Sequence, residues 1–414
     1  MDNVTSVKPV RVLFYEHNTD GTVGGSHYCL LEICRAVDRS RIDPVVVFAQ
    51  DNSLLDAFRA TGVPILLMPP SRVVRLGSGS GVLRPLLRVL QSVANAFRTL
   101  VVDSLRWAWC LRRNRIDVLH LNNSCGGDHE VVLGALLCRV PVVAHQRGYP
   151  QDVGDRERWF ARHLRAIVAI STSVQEDLAR LRLTAEKVVL IHDGIDPERI
   201  VAAASATDGV RAQFGIPSDA PLVGVVGNVK AWKGQDTLVR AMPQVLRRFP
   251  DAYCLIVGSV ADEPYRALMQ RHIVEAGIAA RVVFTGYQRH PAAFMAQMSV
   301  VVHTSTAPEP FGLVVLEGMA LGKPVVATAH GGPTDVIVNG ASGYLTPPGD
   351  DGALARVLVE LLADAALRER VGSEGRRRLH EAFTAASSVR ALEGVLADAA
   401  AINTGTGSQI RAAS

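Results

Sequence analysis

Short unbroken apolar runs recur along the chain, each bounded by polar or glycine-bearing stretches. RVLFY (11–15), PVVVF (44–48), DVLHL (117–121), PVVA (141–144) and AIVAI (166–170) are of this kind. Runs that short and that apolar read as strands buried on both faces, the habit of parallel sheets. Pro64–Met68 and Val188–Ile191 are predicted strands too. A glycine-bearing loop, Asp20–Gly25, follows the first strand, and apolar residues then fall at helical spacing from Tyr28 to Val37. Residues 198–219, rich in Ala, Ser, Asp and Gly, look like a joint, after which the pattern restarts. PLVGVV (221–226), AYCLIV (252–257), RVVFT (281–285), VVVHT (300–304) and PVVAT (324–328) are predicted strands; Gln235–Arg248 and Glu263–Ala276 are predicted helices. Short strands alternating with helices call for parallel sheets. Two such series predict an α/β chain of two doubly wound domains, with the cleft between them as the expected ligand site.

Composition narrows the class. The chain has 414 residues, 48% of them apolar, which suits a large core and excludes disorder. Its six cysteines form no CxxC pair, so neither a disulfide framework nor a zinc site is expected. The opening MDNVTSVKPVRVLF does not read as a signal peptide, and Arg139 interrupts the best apolar stretch, Val131–Ala144. A cytoplasmic protein is expected.

The formal net charge is only +4, but its distribution is uneven. Between 71 and 115 stand nine arginines (72, 75, 84, 88, 98, 106, 112, 113, 115) against one acid, Asp103. Leu83, Leu86, Leu87, Val89, Leu90, Val93, Phe97, Leu100, Val101, Leu105, Trp107 and Trp109 are spaced among them as on an amphipathic helix. Such a helix can lie on an anionic membrane surface with its tryptophans at headgroup level. The competing reading is a core helix whose arginines are merely solvated. No nucleic-acid module is recognisable.

The densest chemistry lies in APEPFGLVVLEG (307–318). Glu309 and Glu317 stand eight residues apart, and the Pro-Phe-Gly turn between them opens a helix expected over Leu313 to Leu321. The unpaired amides and positive dipole of a helix start can receive a phosphate or a developing anion. Glu317, inside the helix, can reach a diol such as a ribose, and Glu309 stands in the loop ahead of it.

EPFGLVVLE followed by GMALGKPVVATAHGGPTDVI resembles the C-terminal domain of glycosyltransferase family 4. Further resemblances are spread over about residues 10–385: Gly24-Gly25, DVLHLNNS (117–124), VVAHQRGYP (142–150), AISTSVQEDL (169–178), IHDGIDPERI (191–200) and GNVKAWKGQDTLVRA (227–241). The resemblance implies a retaining, nucleotide-sugar-dependent enzyme of GT-B architecture, with two Rossmann-like domains. On that plan 1–200 is the acceptor-side domain carrying the basic segment 71–115, and 201–219 is the linker. Residues 220–376 form the nucleotide-sugar domain, 377–399 a C-terminal helix returning to the first domain, and 400–414 a tail.

The resemblance also implies roles. Lys233 contacts the diphosphate and stabilises the leaving nucleotide. Glu309 bonds the transferred sugar's hydroxyls and Glu317 the ribose. The amides of Phe311, Gly312 and Leu313 face phosphate or sugar, while the Phe311 ring packs. The family's phosphate clamp carries an arginine where this chain has Asn228, and Lys230 is the candidate to supply the missing charge. His145 lies near the reacting sugar, and Arg147 beside it can meet an anionic group. Gly24 and Gly25 on the acceptor side, and Gly331 and Gly332 near the donor sugar, allow close backbone approach. His120, His192 and His303 are read as structural.

No metal and no cofactor are expected: Asp193-Gly-Ile-Asp196 has the wrong spacing for a metal-binding acid pair, and the nucleotide-sugar is a substrate. No protein nucleophile presents itself, which favours attack on the face the nucleotide leaves. The expected reaction moves a sugar (a hexose) from a UDP- or GDP-sugar to a saccharide or lipid-linked hydroxyl. Surface polysaccharide or glycolipid biosynthesis at the cytoplasmic face of the membrane is the expected setting. Two rivals share the fold: a nucleotide-sugar epimerase without an acceptor, and a non-catalytic partner subunit in which Asn228 marks the first lost contact.

Overall fold

In the computed structural model the described residues are 8–17, 21, 23–71, 84–183, 188–205 and 209–403. They form two compact units. One comprises the chain to Ile170, Val174–Ile191 and the chain from Ser388; the other comprises Ser171–Ser173 and His192–Ser387. The division thus falls at Ile191–His192. Of the stretch 201–219, the described residues belong to the second unit.

The first unit holds seven strands: β1 (Val10–Glu16), β2 (Ile42–Phe48), β3 (Ile65–Leu67), β4 (Val118–Leu121), β5 (Val142–Gln146), β6 (Ala166–Ala169) and β7 (Val188–Leu190). All pair in parallel, in the order β3-β2-β1-β4-β5-β6-β7. The second holds β8 (Leu222–Val226), β9 (Tyr253–Val257), β10 (Val282–Gly286), β11 (Val300–His303), β12 (Val325–Thr328) and β13 (Tyr344–Thr346), also parallel, in the order β10-β9-β8-β11-β12-β13. The predicted strands are present to within two residues, and Gln235–Arg248 forms the predicted helix. β13 is not among the predicted strands; its three residues are too few to show a period. The centres of β1, β4, β8 and β11 are buried on both faces, as unbroken Val/Leu/Ile runs require.

Each order reverses direction once, between β1 and β4 in the first unit and between β8 and β11 in the second. Loops that leave two neighbouring strands in opposite directions open a crevice at the strands' carboxyl ends, the usual ligand position in such sheets. In the second unit those loops are 227–233 and 304–312.

The stretch 377–399 is two helices rather than one. Ala365–Ala382 ends at Phe383, and Ala385–Asn403 begins two residues later. Phe383 and Thr384 are drawn out of the helix by pairing with Ile195: Ile195 donates to the Phe383 carbonyl at 3.1 Å and Ala385 donates to the Ile195 carbonyl at 2.8 Å. The last helix then buries Val389, Leu392, Leu396 and Ala399, at helical spacing, in the core of the first unit with Leu30, Leu31 and Val37. Its Glu393 accepts from the Asp38 amide and from Arg41. All six cysteines are free, and all but Cys138 are buried.

Candidate active site

The loops after β8 and β11 are stitched together. Thr306 donates to the Trp232 carbonyl at 2.8 Å, and the Thr304 hydroxyl donates to the Lys233 carbonyl at 2.9 Å. The approach is close enough to exclude a side chain at Gly234: a Cβ there would fall 2.2 Å from the Thr304 oxygen, and φ is +64°. Gly234 caps the helix Gln235–Arg248. Gln235 is buried and donates to the Asn228 carbonyl at 3.0 Å, fixing the loop from beneath.

This stitching puts the Lys233 ammonium 2.5 Å from Oε2 of Glu309. The same oxygen accepts from the Ser305 hydroxyl at 3.0 Å and lies 3.3 Å from His303 Nε2. Burial by itself would raise the Glu309 carboxyl. The His303 hydrogen bond and the Lys233 charge outweigh it and hold the group down at about 2, so Glu309 is a carboxylate across the working range. His303 is nearly fully buried at the end of β11, with Thr328 at 3.4 Å on its other nitrogen. With Ser305 it supports Glu309, a partner that the expectation of a structural histidine left unnamed. The signal was available: VVVHT ends on a polar residue at the carboxyl end of a central parallel strand.

The backbone of Glu309 is held by the glycine pair. Gly332 donates to the Glu309 carbonyl at 2.8 Å, and a Cβ on Gly331 (φ +69°) would sit 2.2 Å from that oxygen. Gly312 caps the helix Leu313–Ala320. The Phe311 ring is buried, stacked with His192 and near Phe383, so it packs. Glu317 stands on that helix, and its carboxyl has no hydrogen-bond partner among the described residues. Its side chain retains partial exposure, yet burial raises its carboxyl to about 7. Asn228 and Lys230 are exposed, and Lys230 has no acidic partner among the described residues.

The first unit carries a second set of candidates at its own strand ends. His145, on β5, is buried with Nδ1 3.1 Å from Nε2 of His120; its own Nε2 and His120 Nδ1 are buried without hydrogen bonds. Burial, then the charge of Arg147, drives His145 well below the usual imidazole range and His120 to about 3, so the pair is neutral. His120, read as structural, is the direct partner of His145. Arg147 is pinned to Asn122, whose carbonyl accepts from Nε at 2.8 Å. Asn122 in turn donates to the fully buried Glu16 at 2.5 Å. Gly24 caps the helix Gly25–Ala36, and the space a side chain would take there is open. Among the described residues no group of three or more His, Cys, Asp or Glu is arranged to hold a metal ion.

Two family models match the chain: one described as glycosyl transferases group 1 over residues 207–378, the other as glycosyltransferase family 4 over residues 23–199. Among similar proteins is the 2-deoxystreptamine glucosyltransferase of Streptomyces kanamyceticus. It is 32% identical over 214 residues, 51% of this chain and 54% of that protein. Another is the GDP-mannose-dependent alpha-(1-6)-phosphatidylinositol monomannoside mannosyltransferase of Mycolicibacterium smegmatis, 32% identical over 44% of this chain and 49% of that one. The matches span about half the length of these curated relatives. The Anabaena protein HepE, solved in complex with UDP-glucose, superposes with a TM-score of 0.75 at 23% identity, covering 94% of this chain and 99% of that one. A glycosyltransferase from Rickettsia africae superposes with a TM-score of 0.79 at 17% identity, covering 95% and 99%. At those identities the likeness is one of fold, two Rossmann-like units of the GT-B kind.

Proposed function

We propose, from the premise that this chain belongs to glycosyltransferase family 4, that it moves a sugar from a nucleotide-sugar to an acceptor hydroxyl with retention at the anomeric carbon. The observation that carries the reading is the cluster at the β8/β11 reversal. There a lysine ammonium and the start of the helix Leu313–Ala320 lie beside a carboxylate held ionised. Without ligand, Lys233 and Glu309 neutralise each other. A bound diphosphate offers Lys233 a stronger anionic partner and frees Glu309, still supported by His303 and Ser305, to accept from sugar hydroxyls. The ammonium and the helix-start amides of Gly312 and Leu313 then stabilise the charge that grows on the departing diphosphate. Glu317 receives the ribose diol, and Lys230 supplies charge to the phosphates in place of the arginine that Asn228 replaces.

His145 keeps a neutral imidazole for the sugar and Arg147 a fixed cation for an anionic group. Gly331 and Gly332 hold the Glu309 loop. The solved complexes of HepE with UDP and with UDP-glucose support a uridine donor, and the GDP-mannose-dependent relative supports a guanosine one. The acceptor class is a saccharide or lipid-linked saccharide, as in surface polysaccharide or glycolipid assembly.

The test is a thermal-shift screen of UDP- and GDP-sugars followed by product analysis, since a ligand of the folded state raises its apparent stability. Transfer to an added saccharide supports the reading, and conversion of donor alone to an isomer would replace it with the epimerase. Stabilisation by no nucleotide-sugar would leave the non-catalytic subunit.

A further inference from the structure

The helix Arg84–Phe97, a π-helical turn Arg98–Asp103 and the helix Ser104–Arg113 follow one another without a break on the first unit. One side of the last helix is packed: Trp107, Ala108, Cys110 and Leu111 are buried, and a Cβ on Gly134 of the neighbouring helix would fall 2.6 Å from Trp107 Cβ. Another side is open. Val89, Val93, Phe97, Val101, Leu105 and Trp109 recur at every fourth residue, each 39–63% exposed, with Leu90 and Val102 beside them.

In a regular helix such a row would not stay on one face. Four residues turn through about 400°, so it drifts about 40° per step. The π turn takes more residues per turn, so four residues there turn through less and the drift reverses. Inserted at the middle of the row, it returns Leu105 and Trp109 toward the side that Val89 and Val93 occupy. The result is an apolar stripe about 30 Å long on the outside of the unit.

Its borders are basic. Arg88, Arg112 and Arg113 are exposed and Arg98 is half-buried. The only acid from 84 to 115, Asp103, is buried and taken up by Arg106 at 2.7 Å and Ser71 at 2.6 Å, so it offsets none of them. Arg113 lies 5.2 Å over the exposed Trp109 ring. No helix among the described residues is long and apolar enough to cross a membrane. We infer that this stripe docks the protein on an anionic lipid surface, lying in the headgroup plane with Phe97 and Trp109 inserted and the arginines against lipid phosphates. A second copy fits poorly, because a two-fold contact would set this basic border against itself. The arginines 72 and 75, also in the basic segment, lie outside the described residues.

The experiment is co-sedimentation of the full chain with vesicles of phosphatidylcholine alone and of phosphatidylcholine with phosphatidylglycerol, alongside its mass in solution by light scattering. It reads binding and not turnover, so it fails or succeeds independently of the transfer reaction. Binding to the anionic vesicles only, weakened by salt, is expected. Arg88→Gln and Arg98→Gln should each lower the partition about fivefold, from about one elementary charge's attraction to the surface. Phe97→Ser with Trp109→Ser should lower it further at an unchanged far-ultraviolet spectrum, since both side chains are exposed. Equal binding to both vesicles, binding to neither, or a dimer that Val93→Glu dissociates would each overturn the inference.

Discussion

Replacing Glu317 by Gln should make the protein more stable and less able to hold a nucleotide. The carboxyl has no protein partner among the described residues, and burial raises it to about 7 from an ordinary 4.5. Below pH 4.5 it is protonated in both the folded and unfolded states and contributes nothing. Between 4.5 and 7 the unfolded chain ionises while the folded one stays protonated, so folding grows less favourable by about 1.4 kcal/mol per pH unit. Above 7 the full cost is present. The rise from 4.5 to about 7 sets a ceiling of about 3 kcal/mol. Because part of the side chain meets solvent, about 1–3 kcal/mol is the expected size. Gln keeps the shape and removes the charge. In urea unfolding followed by circular dichroism, Glu317→Gln should match the parent at pH 4 and exceed it by that amount at pH 8. The same substitution should weaken the thermal shift given by a nucleotide at pH 8. A stability difference that is equal at pH 4 and pH 8 would contradict this, since only an ionising, uncompensated carboxyl gives a difference that grows with pH.

Other consequences follow from the same geometry. Lys233→Ala and Glu309→Ala should each lower transfer about 10²–10³-fold in steady-state assays, while Glu309, ionised down to about pH 2, should put no acid limb on the rate above pH 4. His303→Ala removes a support of that carboxylate, so the group should titrate higher and an acid limb should move up the pH profile. Gly331→Ala should cost at least 1–2 kcal/mol in urea, because a Cβ 2.2 Å from the Glu309 carbonyl at φ +69° forces the loop apart. Imidazole NMR should show His120 and His145 neutral from pH 8 to pH 5, since both are held below the ordinary 6.5; stability tied to their neutrality is present above 6.5 and declines as pH falls below it.

Much of this was legible from residue order alone. Runs such as PVVVF and VVVHT are apolar on both faces, and only a parallel sheet covered by helices accommodates them. The Pro-Phe-Gly turn with its flanking acids placed the helix start. What escaped the sequence was partnership. Nothing in the spacing of Lys233 and Glu309, 76 residues apart, says that their charges meet, because that contact is made by the strand order β8-β11 and not by proximity in the chain. The partnership of His120 with His145 was hidden for the same reason: a lone histidine in an apolar strand looks like core until its neighbour strand is known. The basic segment showed its period, but not the π turn that keeps its apolar row on one side. The return of the last helix to the first unit was expected, but its break at Phe383 and Thr384 depends on a pairing with Ile195 that no local signal announces.

The proposed function requires that the loops after β8 and β11 bind a nucleoside diphosphate. Crystals soaked with uridine diphosphate or guanosine diphosphate test it most directly. Phosphate oxygens are expected within hydrogen-bond reach of Lys233 and the Gly312–Leu313 amides, with the ribose hydroxyls on Glu317. A nucleotide ordered elsewhere, with Lys233 still on Glu309 and this crevice empty, would contradict it.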